Sequence, residues 1–294
     1  MHFLFLCILS STSIFVIFKS IDRQGTPAFP VIVINYLAAT ILGFLINPGR
    51  ISSSSIREAP WLPISALIGI LFILMFFLIA YSSRKAGISI TTVASKMSVI
   101  FPILVSMLVD SSDRLTSYKL AAIVTTLAGV GLSVYKPRKG NLDPRVVYPP
   151  LLLFVGMGIV DSLVKYAQHR FVGDAHTALF SAVLFLNAFL SGVIALVFFP
   201  KYFRYFARMS TWIWGLLLGA VNFGSIFFLV RALNYVSPSG SGADSSVIFG
   251  VINIGIVALS VLVGLWIFRE KLLALNWLGI LLSAAALLLF ALGS

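Results

Sequence analysis

Charged residues are scarce in this sequence, and their scarcity excludes an ordinary soluble domain. Only 10% of the 294 residues are charged and 60% are hydrophobic, with a mean hydropathy of +1.05. Soluble domains carry about a quarter charged residues. A soluble fold of this size could not bury so much apolar surface, so we expect a protein that resides in the lipid bilayer.

Cysteine and histidine are almost absent, which removes most metal and redox chemistry. Cys7 is the single cysteine and cannot form an internal disulfide. His2, His169 and His176 lack metal-ligand spacing with one another, with the cysteine or with an acid. Neither a phosphate-binding P-loop nor a dinucleotide fingerprint occurs. We therefore expect no enzyme, no cofactor and no ATP-driven pump.

The positive charges are distributed between the apolar runs. The net charge is +12, but the basic residues form no single block, so they fit lipid headgroups better than nucleic acid. We expect the lipid bilayer as a partner and no nucleic acid. The first eighteen residues lack the basic start and cleavage site of a signal peptide, so they are interpreted as the first helix.

Apolar runs of about 17 to 25 residues recur along the chain, the length that a bilayer requires of a helix. Proline and glycine mark the breaks, as in Asn47-Pro48-Gly49 and Ser237-Pro238-Ser239-Gly240. The pattern predicts an all-α integral membrane protein with ten transmembrane helices: 2–18, 27–47, 61–83, 88–109, 115–135, 147–167, 175–199, 211–233, 243–267 and 272–292.

The polar middle loop 136–145 divides the chain into halves that match span by span. The matching segments are Ile14–Lys19 with Val160–Lys165, Val33–Asn35 with Phe185–Asn187, Phe76–Leu78 with Phe227–Leu229, and Asp113–Leu115 with Glu270–Leu272. A unit of five spans crosses the membrane an odd number of times, so its second copy must enter the membrane from the opposite side. The sequence therefore predicts two inverted five-helix repeats, 1–140 and 141–294, the geometry that alternating access uses.

Two segments carry a family resemblance, Ser95–Pro102 in the fourth span and Phe268–Leu272 followed by Leu278-Gly279-Ile280 at the tenth. With them, essentially the whole chain resembles the drug/metabolite transporter superfamily, and within it the EamA-like ten-helix proteins. Asp113 and Leu259 depart from the glutamate and proline of that pattern. The resemblance implies transport of small metabolites, with the fourth and ninth helices near a central cavity.

Lys96 is the sharpest candidate for a substrate-binding residue. It lies about nine residues into the fourth span, where a charge costs roughly 2.5 to 3.5 kcal/mol on insertion scales. We expect it to bind an anionic or carboxylate-bearing substrate; the alternative is a packing role beside a buried acid. Its repeat counterpart in the ninth span is Asn253, also polar and mid-span.

Asp161 is the acid that lies clearly inside a span, and it is the candidate for proton coupling. It could also pair with Lys96 across a cavity. Lys165 follows at i+4 on the same helix face, so a local ion pair is the alternative.

Asn35 and Asn187 form a second repeat-related pair. Their amides either line the substrate site or hydrogen-bond between helices. Asp244 is expected to cap the ninth helix. Four glycines, Gly129, Gly131, Gly215 and Gly219, are expected to permit close helix packing.

The basic residues also predict an orientation. Of the 21 lysines and arginines, 13 fall in odd-numbered connections, which the positive-inside rule places in the cytoplasm, with both termini outside. We expect a multi-pass protein of the cell (inner) membrane, in an oligomeric state that the residues do not define.

The residues and the resemblance together predict a gradient-driven secondary transporter of small polar or amphipathic metabolites such as amino acids. It would act by alternating access, with protons as a candidate coupling ion. One alternative is a carrier of sugars, nucleotide sugars or phosphorylated metabolites. A second alternative is a non-transporting membrane component, such as a lipid-handling enzyme or an assembly partner.

Overall fold

The computed structural model describes residues 2–46, 59–102, 104, 116–135, 137–138, 141–142, 144–171, 177–233 and 245–292. At a few of these positions, including Lys165 and 245–250, it describes the backbone alone. Asp113 and Asp244, the acids expected before the fifth and ninth helices, lie outside the described residues.

Helices account for nearly all of the described chain. They are α1 (His2–Arg23), α2 (Ala28–Ile46), α3 (Leu62–Lys85), α4 (Ile88–Met97), α5 (Ser117–Val134), α6 (Pro144–Phe171), α7 (Thr177–Phe198), a 3₁₀ helix (Pro200–Ala207), α8 (Met209–Leu233), α9 (Ser245–Trp266) and α10 (Ala274–Leu292). The middle loop contains a two-residue antiparallel pair, β1 (Pro137–Arg138) and β2 (Asn141–Leu142), with Pro137 opposite Leu142.

Seven of the described helices are long and apolar enough to cross a membrane. They are α1, α2, α3, α5, α6, α7 and α8. Shorter apolar stretches occupy Ile88–Pro102, Val251–Trp266 and Ala274–Leu289. The expectation of an all-helical, membrane-embedded chain is confirmed at this level.

Most helix boundaries agree with those expected from the sequence within a few residues, but the first helix is longer. It was expected to end at 18 and it continues to Arg23. Its polar last turns form hydrogen bonds: Lys19 Nζ donates to the Ser83 carbonyl at 2.9 Å and Ser20 Oγ donates to the Val16 carbonyl at 2.8 Å. A polar residue therefore need not end a helix when a neighbouring helix end supplies acceptors.

The distribution of side chains suits a lipid solvent. Large apolar side chains point outward, such as Ile194, which is 61% exposed, and Leu281, which is 63% exposed. Small polar side chains are buried between helices instead, and the Ser82 and Thr91 hydroxyls hydrogen-bond at 2.8 Å. Buried hydroxyls and exposed leucines are the reverse of a soluble core, as expected where the outer solvent is hydrocarbon.

The helices pack in a defined set of pairs. Helix α1 packs against α8 and α9, α2 against α7 and α8, α3 against α6 and α7, α4 against α6 and α9, and α5 against α10. Helix α4 therefore contacts both α6 and α9, and α9 also contacts α1, whereas α5 and α10 pack mainly on each other.

Three of the four glycines expected at helix contacts are confirmed there. A Cβ at Gly215 would lie 2.5 Å from Ile34 Cβ, and one at Gly219 would lie 2.5 Å from Ala38 Cβ, both on α2. On α5, a Cβ at Gly129 would lie 2.6 Å from Ser283 Oγ of α10. The expectation for Gly131 is wrong, because nothing lies within 4 Å of a Cβ there.

The contact between α5 and α10 makes Gly279→Ala a test of helix packing. The added Cβ would overlap the Ser133 backbone nitrogen and would lie 2.6 Å from the Gly129 carbonyl oxygen. Backbone atoms cannot move aside as a side-chain end can, so we expect a loss of stability of about 1 to 3 kcal/mol. The measurement is the midpoint of thermal denaturation of the purified protein in detergent.

Gly131→Ala on α5 is the matched control. Because the space at Gly131 is open, the better helix propensity of alanine should stabilise this variant by up to about 1 kcal/mol. Equal denaturation midpoints for the two variants would contradict the described packing of α5 on α10.

Candidate functional site

Helix α4 is interrupted inside the apolar region. It ends at Met97, Ser98 and Val99 form a turn, and helical backbone resumes at 100. The Phe101 N–H donates to the Ser98 carbonyl at 3.0 Å, a tighter bond than the α-helical pattern. Lys96 is the ninth residue of α4, about 13 Å from its start at 1.5 Å per residue. Half of a hydrocarbon core is about 15 Å, so a helix that enters the bilayer at Ile88 carries Lys96 near the membrane midplane.

The Lys96 side chain is half-buried and faces groups from two other helices. It interacts electrostatically with Asp161 on α6 and with Cys7 on α1. Its ammonium nitrogen is not within the 4.0 Å of a salt bridge to Asp161, although both side chains are described. The acid that the packing alternative required is therefore near, but the two charged groups are more than 4.0 Å apart.

Asp161 lies at the middle of α6, the eighteenth of its 28 residues. Its Oδ2 accepts a hydrogen bond from Ser98 Oγ at 3.2 Å, and the same hydroxyl lies 2.6 Å from the Ser95 carbonyl. A serine hydroxyl carries one hydrogen, so it can serve one of these acceptors at a time. The alternative partner Lys165 has no described side chain, so the local ion pair stays a prediction.

Two unpartnered hydroxyls adjoin these charges. Thr92 lies one turn before Lys96 on α4, and Ser162 follows Asp161 on α6. Both hydroxyl oxygens are buried without a hydrogen-bond partner among the described residues. Buried polar groups are costly without a partner, so both hydroxyls retain hydrogen-bonding capacity beside the two charges.

Cys7 and Ser98 are site residues that sequence reasoning missed. Cys7 is buried, and its Sγ donates to the Ser225 carbonyl of α8 at 3.3 Å. Ser98 had a signal in the sequence, since it lies two residues beyond Lys96 and before Pro102. Cys7 had none, because only the packing of α1 brings it near Lys96.

Asn253 lies on α9, which packs against both α1 and α4. Its side chain is half-buried, and its amide has no hydrogen-bond partner among the described residues. A Cβ at Gly255 on the same helix would overlap the Ile8 side chain of α1. Asn253 is therefore on a helix that adjoins the site, and its contact with Lys96 stays a prediction.

Asn35 and Asn187 bond between helices, as the packing alternative expected. The amides of Asn35 on α2 and Asn222 on α8 lie in hydrogen-bonding contact at 3.2 Å. Asn187 Nδ2 on α7 donates to Ser65 Oγ on α3 at 2.8 Å. Because both amides already have partners, the candidate site rests on Lys96 and Asp161.

Glu270 binds the start of α4 at the end of the bundle where the odd-numbered connections lie. Its Oε1 accepts from the Ile88 N–H at 2.6 Å, and its Oε2 accepts from the Ser89 N–H at 3.2 Å and from Ser89 Oγ at 2.9 Å. The carboxylate therefore caps the first turn of α4. Gly87 has a φ of +101°, and a Cβ there would lie 2.7 Å from Glu270 Oε1, so this position requires glycine.

We expect Glu270→Ala to lower the stability of the protein by about 1 kcal/mol or more, because two N–H groups at the start of α4 lose their acceptors. Glu270→Gln should recover part of the loss, since one amide oxygen can still accept. The midpoint of thermal denaturation in detergent measures both variants. Exposed Lys271 provides the neighbouring control, Lys271→Ala, and a midpoint for Glu270→Ala equal to that of the control would contradict the capping role.

Comparison with known proteins is consistent with this fold but assigns no function. No family model matches the sequence. A protein of Haemophilus influenzae described only as uncharacterized is 28% identical to this chain. The alignment covers 98% of this chain and 96% of that protein. A crystal structure of another protein has a TM-score of 0.55 and 15% sequence identity over 97% of each chain, which shows a shared fold alone.

The class of protein that the fold defines is therefore an all-helical, multi-pass protein embedded in a membrane. Its candidate site is a pair of opposite charges beside a broken helix.

Proposed function

We propose that this chain is a secondary transporter that moves a small polar metabolite, with an amino acid as the leading class, by alternating access. Ten transmembrane helices in two inverted five-helix repeats surround Lys96 and Asp161. The observation that carries the proposal is this pair of opposite charges, close to each other without direct contact, beside the break in α4.

The packing of the helices supports the repeat. We replace each helix of α1–α5 by its counterpart in α6–α10, and the reverse. The contact of α1 with α8 then corresponds to the contact of α6 with α3, and the structure has both contacts. The contact of α1 with α9 becomes that of α6 with α4, and the contact of α2 with α8 becomes that of α7 with α3. The pairs α2 with α7, α4 with α9 and α5 with α10 map onto themselves. Two inverted copies would produce this agreement.

Side-chain hydrogen bonds between helices support the repeat as well. The bond of Asn35 to Asn222 joins α2 to α8, and the bond of Asn187 to Ser65 joins α7 to α3. These helix pairs correspond when the halves are exchanged. The boundary at 140 falls in the middle loop and stays a prediction.

The charges of the site match a zwitterion. Lys96 offers a cation to a carboxylate, and Asp161 offers an acceptor to an ammonium group. Each charge is costly in hydrocarbon unless it has a partner, so a substrate that carries both charges satisfies both residues at once. Asn253, on the repeat-related helix α9, would contact the remaining polar atoms of the substrate.

Asp161 also provides the coupling step. A proton and the substrate cation compete for its carboxylate, so binding of one releases the other and links the two movements. The Ser98 hydroxyl lies within reach of both Asp161 and the Ser95 carbonyl, so it can donate to either one. The hydroxyl thereby links the break in α4 to the charge on α6.

A phosphate-bearing substrate is the alternative within transport. Lys96 would face the phosphate, but Asp161 is close enough to repel a second negative charge. Competition decides between the two: amino acids should inhibit uptake, and sugar phosphates or nucleotide sugars should not.

A non-transporting membrane component is the alternative from another class. The decisive experiment reconstitutes the purified protein in liposomes and measures counterflow of radiolabelled solutes chosen by a thermal-shift screen. Saturable counterflow supports transport. If no solute raises the denaturation midpoint and none exchanges, the transporter proposal is wrong.

A further inference from the structure

A pocket lies at one end of the helix bundle. Its volume is about 500 Å³, and it lies among the end of α1, the start of α2, the end of α3 and the 3₁₀ helix Pro200–Ala207. We call it the basic pocket and define it by four lining residues: Asp22, Arg84, Lys201 and Arg204.

Positive charge exceeds negative charge in the basic pocket. Three cations and one acid line it, and the acid is already engaged, since Arg84 Nε lies 3.8 Å from Asp22 Oδ1. Lys201 and Arg204 are exposed on the 3₁₀ helix and make no described salt bridge. The remaining positive charge favours an anion, and an arginine fork with a lysine suits the oxygens of a phosphate.

Aromatic rings hold these cations at the edge of the bundle. Lys201 Nζ lies 5.3 Å from the centroid of the Tyr202 ring, and Arg204 lies 4.9 Å from that of Tyr205. Tyr202 packs on the buried Phe29 of α2 at 5.3 Å between centroids. Tyrosines and basic residues on a short helix between two spans are typical of the headgroup level of a bilayer.

An apolar track leads from the basic pocket along α3. Phe77 and Tyr81 line the pocket. The preceding turns of α3 carry Leu74, Ile70 and Leu67, which are 53%, 47% and 48% exposed and share one helix face at i, i+3 and i+4 spacing. A headgroup in the pocket would therefore continue into acyl chains on this face, which a free phosphate ion would not use.

The predicted side of the membrane also favours an anionic lipid headgroup. The pocket is built at the odd-numbered connections, which the positive-inside rule predicts to be cytoplasmic. Cytoplasmic leaflets present anionic phospholipids, which basic pockets between transmembrane helices bind. We propose that the basic pocket binds the phosphate headgroup of an anionic phospholipid, with Lys201 and Arg204 on the phosphate and the acyl chains along α3.

Phosphatidylglycerol added to the purified full-length protein in detergent tests this site, independently of any transport. The readouts are the denaturation midpoint and the number of bound lipids in native mass spectrometry. We expect phosphatidylglycerol to bind and to raise the midpoint, and phosphatidylcholine to do neither. The double variant Lys201→Gln, Arg204→Gln should bind phosphatidylglycerol about tenfold more weakly or worse, because each cation near the surface contributes appreciably to anionic-lipid binding.

The matched control removes one lysine and one arginine on the same side but outside the pocket, as Lys271→Gln with Arg145→Gln. It should bind phosphatidylglycerol like the unmodified protein. Binding that survives in the pocket variant, or that falls equally in the control, would overturn the site. Stabilisation by inorganic phosphate equal to that by phosphatidylglycerol would identify a free-anion site and overturn the lipid assignment. Arg84→Gln, on α3, repeats the test if the double variant does not fold.

Discussion

Lys96→Ala is expected to abolish counterflow of the transported solute while the protein still folds. The substitution removes the cation at the midplane, and a carboxylate entering the site would then have no partner in a region of low dielectric constant. Loss of one charged hydrogen-bonded partner costs about 1.5 to 3 kcal/mol. That cost corresponds to roughly a tenfold to hundredfold loss of affinity, so exchange at fixed solute concentration falls close to the level of empty liposomes.

The control for Lys96→Ala must separate a lost charge from a damaged fold. Lys271→Ala removes a lysine that is exposed outside the bundle, and it should exchange normally. Lys96→Arg keeps the charge in a larger group and should retain weak exchange. Gel filtration and the denaturation midpoint report folding for all three variants. Normal counterflow by Lys96→Ala would remove Lys96 from the site.

Asp161→Asn is expected to uncouple transport from a proton gradient and to weaken exchange without abolishing it, because the substrate ammonium group keeps an amide oxygen as acceptor but loses the charge. The asparagine keeps the size of the side chain and can still accept the hydrogen bond of Ser98 Oγ, but it cannot bind and release a proton. With one proton per solute, a gradient of one pH unit drives about tenfold accumulation. In the variant, accumulation should fall to equal concentrations on both sides.

Asp22→Asn is the matched control for Asp161→Asn. Asp22 lies at the end of α1, where it pairs with Arg84, so its loss should leave gradient-driven accumulation intact. Measurement of both counterflow and accumulation in the same liposomes keeps the two activities apart. Accumulation by Asp161→Asn equal to that of the unmodified protein would assign coupling to another residue. Complete loss of counterflow would show that substrate binding itself requires the Asp161 charge, so coupling could not be assigned from this variant.

The positions of the helices were predictable because the bilayer imposes one length and one composition on each span. The expected span 27–47 is observed as Ala28–Ile46, and 211–233 is observed as Met209–Leu233. The end of α1 was not predictable, because Lys19 and Ser20 were interpreted as a helix end and they bond to carbonyls instead. Polarity marks an end only where no acceptor is near.

The site was predictable in part for the same physical reason. A charge inside a span is so costly that Lys96 and Asp161 could be selected without coordinates. Cys7 could not, since only the packing of α1 brings it near Lys96, whereas Ser98 and the break after Met97 had local signals in Lys96 and Pro102. Glu270 shows the same division between local and tertiary information. Its position before the last helix could be read from the sequence, but its hydrogen bond to Ile88 joins residues that are 182 positions apart.

The sequence alone determined that this is a helical membrane protein, where its helices run, and which two charges are exceptional, because hydrophobic length and the cost of buried charge are local properties. Only the tertiary structure decided that these charges face each other beside a broken α4, that Glu270 caps that helix, and that three cations gather around one pocket. Such contacts join helices far apart in the chain, and they arise from packing, which no local pattern encodes.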